Sequence, residues 1–112
     1  MRLKSELWVQ AYIRTCQSHA VPAMLVRRGD ADAGAIYIKI ARLDGTALLF
    51  GPAPAGRDDI GAGRAFAPLH AGGTIAEAEA EAMLERHRRF DPDLWIVEVE
   101  DAAGRHFLDD WT

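Results

Sequence analysis

Cysteine, basic charge and long apolar runs are all scarce in this sequence. Its one cysteine, Cys16, excludes an internal disulfide and a cysteine-based metal cage. There are 13 basic and 17 acidic residues, giving a net charge of -4, so no basic field supports nucleic-acid binding. No run approaches the ~18 apolar residues of a membrane span, and residues 1–20 lack the apolar core of a signal peptide. We therefore expect a cytoplasmic protein that does not act at a membrane.

Recognisable catalytic motifs are also lacking. The sequence has no nucleophile elbow, phosphate-binding loop, zinc-ligand spacing or dinucleotide-binding glycine pattern. Cys16 and His19 lie three positions apart, as a nucleophile and its base would. Cys16 however falls on the apolar side of a predicted helix, where a free cysteine acts as a small hydrophobe. We expect no catalytic residue, cofactor or bound metal.

Two helices are predicted from apolar residues at helical spacing. The first covers residues 5–18, with Ser5 as its N-cap. The second covers residues 75–90, where Thr74 and Glu77 have the spacing of a capping box.

The strands are predicted from short apolar or alternating runs between glycine and proline turns. Residues 51–63 are expected to form an exposed, mobile loop, and Pro68 places the strand after it at a sheet edge. The predicted strands cover residues 23–28, 35–42, 46–50, 64–69, 94–100 and 105–108. We expect one α+β domain over residues 1–112, in the order α-β-β-β-β-α-β-β. Its antiparallel or mixed sheet of five to six strands would carry both helices on one face.

A repeated hexad is the most distinctive feature of the sequence. The first tract (residues 27–32) and the second tract (residues 88–93) both read Arg-Arg-x-Asp-x-Asp. Their carboxylates are hard ligands suited to Mg²⁺ or Ca²⁺, and their guanidinium groups suit a phosphate or carboxylate. The interpretation we favour is an internal network in which arginines of one tract pair with aspartates of the other. The eight charged residues are Arg27, Arg28, Asp30, Asp32, Arg88, Arg89, Asp91 and Asp93.

Tryptophan is frequent for a domain of this size. Trp8, Trp95 and Trp111 are candidates for an interface with a partner if any of them is exposed, because aromatic residues are enriched at interface hot spots.

Five segments of the sequence together resemble the family catalogued as domain of unknown function 1491, which consists of small alphaproteobacterial proteins. The resemblance covers nearly the whole chain and implies a stand-alone cytoplasmic domain, with no activity or catalytic residue to carry over. The segments are MRLKSELWV at residues 1–9, RRGDADAG at 27–34, RLDGT at 42–46, GPAP at 51–54 and RRFDPDLW at 88–95.

Two hypotheses about function remain open. The first is a non-enzymatic interaction domain, either a homodimer or an adaptor. The second is a metal-assisted hydrolase acting on a phosphate-bearing substrate at the two tracts. The second requires the aspartates of both tracts to converge on one open site.

Overall fold

Two helices and six strands make up the computed structural model, which describes residues 3–54 and 64–109. The elements in chain order are α1 (Ser5–Ser18), β1 (Ala23–Arg27), β2 (Ile36–Ala41), β3 (Thr46–Pro52), β4 (Phe66–Pro68), β5 (Ile75–Ala76), α2 (Glu77–Phe90) and β6 (Trp95–Glu100). Helix α1 has its predicted bounds, residues 5–18. Strands β1, β2, β3, β4 and β6 each begin and end within two residues of their predicted bounds.

The strands form one mixed sheet in the order β1-β6-β2-β3-β4, and the short β5 also pairs with β3. Only β2 and β6 are parallel; the other pairs are antiparallel. The α+β class and the mixed sheet are therefore confirmed. Strand β4 lies at an edge, as Pro68 predicts.

The two helices lie on opposite faces of the sheet, which corrects the prediction that they share one. Trp8 and Tyr12 of α1 pack in a core cluster with Ile38 and Val97, whereas Leu84 of α2 packs in a second cluster. Successive residues of a strand point to opposite faces, so a sheet covered on both sides buries every position. All six residues of β2 are indeed buried.

The predicted final strand at residues 105–108 is absent. Strand β6 already pairs with β1 on one side and β2 on the other, so it has no free edge for a hairpin partner. The carboxylate of Asp101 instead accepts the backbone N–H of Arg105 at 2.7 Å and also its guanidinium group. This turn leads Leu108 into the core beside α1.

Neither predicted N-cap is formed. Ser5 is the first residue of α1, and its hydroxyl donates to the carbonyl of Gly34 at 2.7 Å. Helix α2 begins at Glu77 with no side-chain cap, because the two residues before it pair with β3. The Glu77 N–H donates to the carbonyl of Gly45, so the turn between β2 and β3 satisfies the backbone that Thr74 was expected to cap.

The predicted loop at residues 51–63 is tested only in part. Its first two residues, Gly51 and Pro52, belong to β3, and residues 55–63 lie outside the described part of the chain. Within the described part, no helix is both long and apolar enough to cross a membrane.

Candidate functional site

The two Arg-Arg-x-Asp-x-Asp tracts meet where the chain crosses the start of β6. Strands β1 and β2 flank β6, so the segment joining them must pass over the end of β6, where the second tract lies. The N–H of Asp30 donates to the carbonyl of Asp93 at 2.9 Å, and the Trp95 indole donates to the carbonyl of Asp30 at 2.8 Å. Arg27 donates to the carbonyl of Pro92 at 2.7 Å. Each of these contacts ends on a backbone carbonyl, and none of them is an ion pair.

This crossing is so close that two of its positions have room only for glycine. A Cβ atom on Gly29 would lie 2.2 Å from the carbonyl oxygen of Asp93, and one on Gly34 would lie 2.4 Å from the same atom. Contacts this short require the backbone to move. The glycines of the first tract and its turn therefore set the distance between the tracts.

Apart from Arg27, the arginines of the tracts with a described partner bond to residues outside the other tract. Arg28 pairs with Glu6 and also lies over the Trp95 ring, 5.3 Å from its centroid. On the second tract, Arg88 lies 3.4 Å from Glu85 of the same helix. No ion pair between the tracts occurs in the described residues, so the structure does not show the expected network of Arg–Asp pairs.

The aspartates mostly serve their own turns. Asp30 accepts the N–H groups of Asp32 and Ala33, and Asp91 accepts the N–H of Asp93. Within residues 3–54 and 64–109, no three His, Cys, Asp or Glu side chains are grouped so that they could hold a metal ion. No observation in this part of the chain favours the metal-assisted hydrolase.

Two of the three candidate interface tryptophans lie inside the protein. Trp8 stacks on Tyr12 with ring centroids 5.0 Å apart, and Trp95 is only 1% exposed. They contribute to the core and are not accessible to a partner of the folded chain. Trp111 lies outside the described residues.

Cys16 and His19 do not form a catalytic pair. Cys16 is fully buried, and burial raises the pKa of its thiol. The His19 ring instead lies within hydrogen-bond distance of the Thr15 carbonyl, at 2.9 Å.

A buried lysine between the sheet and α2 was missed by the sequence analysis. Lys39 lies on the face of β2 that α2 covers, with 4% of its side chain exposed. Its ammonium group lies 2.8 Å from Glu77, 2.5 Å from Glu81 and 3.5 Å from Glu98. Burial lowers the pKa of Lys39, but the hydrogen bonds to Glu77 and Glu81 and the charge of Glu98 raise it overall. We call these four residues the Lys39 cluster.

A free sheet edge is the feature that best fits a binding site. Strand β1 is the end strand of the sheet, and among the described residues it pairs only with β6. Its residues Met24, Leu25 and Val26 are 41%, 42% and 56% exposed. Three consecutive exposed apolar residues on a strand with one unpaired side are unusual, because such edges invite pairing with another chain. We call these residues the β1 edge.

The backbone of β1 offers hydrogen-bonding groups along this edge. The N–H of Glu100 donates to the carbonyl of Pro22, at the start of the β1–β6 ladder. Bonded and non-bonded pairs alternate in an antiparallel ladder, so Met24 forms the next bonded pair with Glu98. Ala23 and Leu25 therefore direct their N–H and C=O groups away from β6. A β-bulge between Leu25 and Arg27 keeps the regular edge short.

A groove with a volume of about 110 Å³ lies beside the β1 edge, between β6 and α2. Val26, Leu84 and Ile96 contribute apolar surface to it. Its charged lining consists of three carboxylates and one guanidinium group, from Glu81, Glu85, Glu98 and Arg88. We call it the acidic groove.

The signal for these sites in the amino-acid sequence is weak. Met24, Leu25 and Val26 form a short apolar run, which is typical of a strand buried on both faces. Their position at the edge depends on the insertion of β6 between β1 and β2. The best available signal for the Lys39 cluster was the spacing of Glu77 and Glu81, which lie one turn apart on α2 and can reach the same group.

Comparison with known proteins places this fold among similar structures. The model of a family described as "Protein of unknown function (DUF1491)" matches residues 3–109. No curated protein matches the chain.

Solved structures of similar proteins cover most of the chain. A crystal structure of a DUF1491 family protein from Caulobacter crescentus CB15 has 38% sequence identity and a TM-score of 0.78, over 96% of this chain and 94% of that chain. An NMR structure of a DUF1491 family protein from the same organism has 40% identity and a TM-score of 0.78, over 96% and 93%. A solution structure of a protein from A. tumefaciens has 42% identity and a TM-score of 0.75, over 89% and 86%.

Proposed function

The chain belongs to the DUF1491 family, and we propose that it is a small cytoplasmic, non-enzymatic interaction domain that binds a protein partner by adding a strand at β1. The observation that carries this proposal is the free edge of β1, with its three exposed apolar residues. An added strand would pair with the outward N–H and C=O groups of the exposed Leu25, and its side chains would cover the β1 edge.

The rest of the architecture suits such a role. Backbone hydrogen bonds from the crossing segment to residues 93 and 95 fix the start of β6, which supports β1 along its inner side. The edge is therefore presented by a rigid scaffold, and little ordering is needed on binding.

Site-specific photo-crosslinking in cells tests this function. A photo-crosslinking amino acid would replace Val26 in one variant and Leu43 in another. Leu43 is 66% exposed and lies in the turn between β2 and β3, so it is a control of similar exposure outside β1. We expect a discrete crosslinked product from position 26 and none from position 43.

The variant Leu25→Pro supplies the second arm. Proline removes one outward N–H from β1 without removing a bond to β6, so we expect the crosslinked product at position 26 to disappear. No product at position 26, or equal products at both positions, would refute strand addition at β1.

A further inference from the structure

We propose that the strand bound at β1 comes from a different protein and carries a lysine or arginine that enters the acidic groove. This inference rests on the proposed function, and it specifies the chemistry of the partner.

The groove is built for a long basic side chain. Its apolar surface comes from Val26, Leu84 and Ile96, and carboxylates of Glu81 and Glu85 lie at its rim, where their side chains are about half exposed. Lysine and arginine lay an apolar stem along such a surface while keeping the charged end in a polar setting. A basic residue therefore matches both parts of the groove, whereas an apolar or acidic residue matches at most one.

The local charge favours a cation as well. The Lys39 cluster has three carboxylates and one ammonium group, and Glu85 and Arg88 together add no net charge. The region around the groove is thus left with a net charge of about -2 by this count of formal charges. Part of that charge belongs to Glu81 and Glu98, which line the groove directly.

A second copy of the same chain fits this site poorly. Its β1 strand would bring Arg27 and Arg28 as the nearest basic residues, but Arg27 donates to the carbonyl of Pro92 and Arg28 pairs with Glu6. A second copy would also bring a second acidic groove and a further net charge of -4. Repulsion between like charges therefore opposes self-pairing at β1.

A side chain on the added strand lies at a suitable distance. Neighbouring strands are about 4.8 Å apart, so the added strand would lie about 10 Å from β6, with β1 between them. Its side chains on the α2 side would start beside Val26, at the mouth of the groove. Val26 lines the groove together with Glu81 and Glu85, so an extended lysine or arginine that starts there points toward these rim carboxylates.

The test uses the whole chain, labelled with nitrogen-15, and three synthetic nine-residue peptides. The peptides alternate valine with lysine, glutamine or glutamate, and binding is followed by the amide shifts of Ala23, Met24 and Leu25. We expect the lysine peptide to bind about fivefold more tightly than the glutamine peptide, which is the effect of one favourable ion pair. The glutamate peptide should bind most weakly, and the preference should shrink as salt is added.

Two matched variants locate the preference. Glu85→Gln removes a carboxylate from the groove but leaves the Lys39 cluster intact, and it should weaken the lysine preference. Glu79→Gln makes the same change of charge at an exposed position of α2 outside the groove, and it should leave the preference unchanged. Equal effects of the two variants would refute the role of the groove.

The remaining outcomes separate this inference from the proposed function. Equal binding of the lysine and glutamine peptides would overturn the basic preference while leaving strand addition intact. No peptide binding, together with a dimer by light scattering that Leu25→Pro dissociates, would show that the occupant is a second copy. No peptide binding by a monomeric chain would overturn this inference and count against strand addition at β1 as well.

Discussion

Replacing Lys39 should destabilise the protein, by an amount that follows from the exposure of its partners. Lys39→Met keeps most of the apolar stem and removes only the ammonium group. Removing one partner of a fully buried ion pair typically costs about 3–5 kcal/mol, because the other charge is left buried. Here the side chains of Glu77, Glu81 and Glu98 are 39%, 57% and 23% exposed, so water can replace part of the lost interaction. We therefore expect Lys39→Met to lower the free energy of unfolding by about 2–3 kcal/mol.

A larger truncation should separate charge from packing. Lys39→Ala also removes three methylene groups from a buried position, and each contributes about 0.8 kcal/mol. The total loss should therefore be about 4–5 kcal/mol. Urea unfolding at neutral pH, followed by tryptophan fluorescence, measures both variants.

The other lysine of the chain is the natural control. Lys4 is exposed and lies 3.6 Å from the exposed Asp32, so Lys4→Met should change stability by less than about 0.5 kcal/mol. If Lys39→Met also changes stability by less than about 0.5 kcal/mol, the Lys39 cluster does not hold α2 onto the sheet and the reasoning fails.

The pH dependence has a definite sign. The pKa of Lys39 is raised in the folded state, so its stabilisation is complete below the pKa of an unfolded lysine, about 10.4, and is lost as the pH rises through the folded value. The difference in stability between the parent chain and Lys39→Met should therefore stay constant from neutral pH to about pH 9 and narrow above about pH 10.4.

Four further predictions concern the tracts and the turn after β6. Gly29→Ala should lower the free energy of unfolding by about 2–4 kcal/mol, because the new Cβ would clash with the carbonyl oxygen of Asp93. If Gly29→Ala lowers the free energy of unfolding by less than an exposed alanine-to-serine control does, the close crossing is contradicted. Asp91→Ala should cost about 0.5–2 kcal/mol in thermal unfolding, since its carboxylate caps a turn, whereas Asp93→Ala should cost less because its backbone carbonyl forms the bond to the first tract. Asp101→Asn should destabilise the chain at neutral pH. Because the hydrogen bond from Arg105 lowers the pKa of Asp101, the difference in unfolding free energy between the parent chain and Asp101→Asn should shrink as the pH drops below about 4. If this difference in stability is unchanged at acid pH, the prediction is refuted. Isothermal titration calorimetry of the parent chain should show no Mg²⁺ or Ca²⁺ binding tighter than about millimolar. Saturable binding of either ion in the micromolar range would instead support the metal-assisted hydrolase.

The repeated tracts show both the reach and the limit of prediction from local patterns. Their similarity identified the two segments that meet in the fold. The sequence predicted Arg–Asp ion pairs between them, whereas the structure shows hydrogen bonds to backbone carbonyls. An arginine beside an aspartate in sequence indicates available charge, and it does not say which neighbour the fold brings closest. The order of strands put the Asp93 carbonyl against Asp30, while Arg28 was left near Glu6 of α1.

The sequence by itself determined the local elements and the fold class. Helix α1 and most strands follow from apolar spacing and from the turns at glycine and proline, because hydrogen bonding and side-chain direction over a few residues depend on neighbours in the chain. Local rules failed at Ser5 and Thr74, because residues distant in sequence satisfy the first N–H groups of each helix. The carbonyls of Ala31 and Asp32 do so at α1, and the carbonyl of Gly45 does so at α2.

Only the tertiary structure decided the position of β6, and most of the functional argument depends on that position. With β6 between β1 and β2, the helices cover opposite faces, Lys39 is buried and residues 105–108 have no strand to pair with. The same insertion leaves β1 at the edge with Met24, Leu25 and Val26 exposed. Strand order is set by the total burial of many distant side chains, so no local pattern in β1 could show that one side of it would remain unpaired.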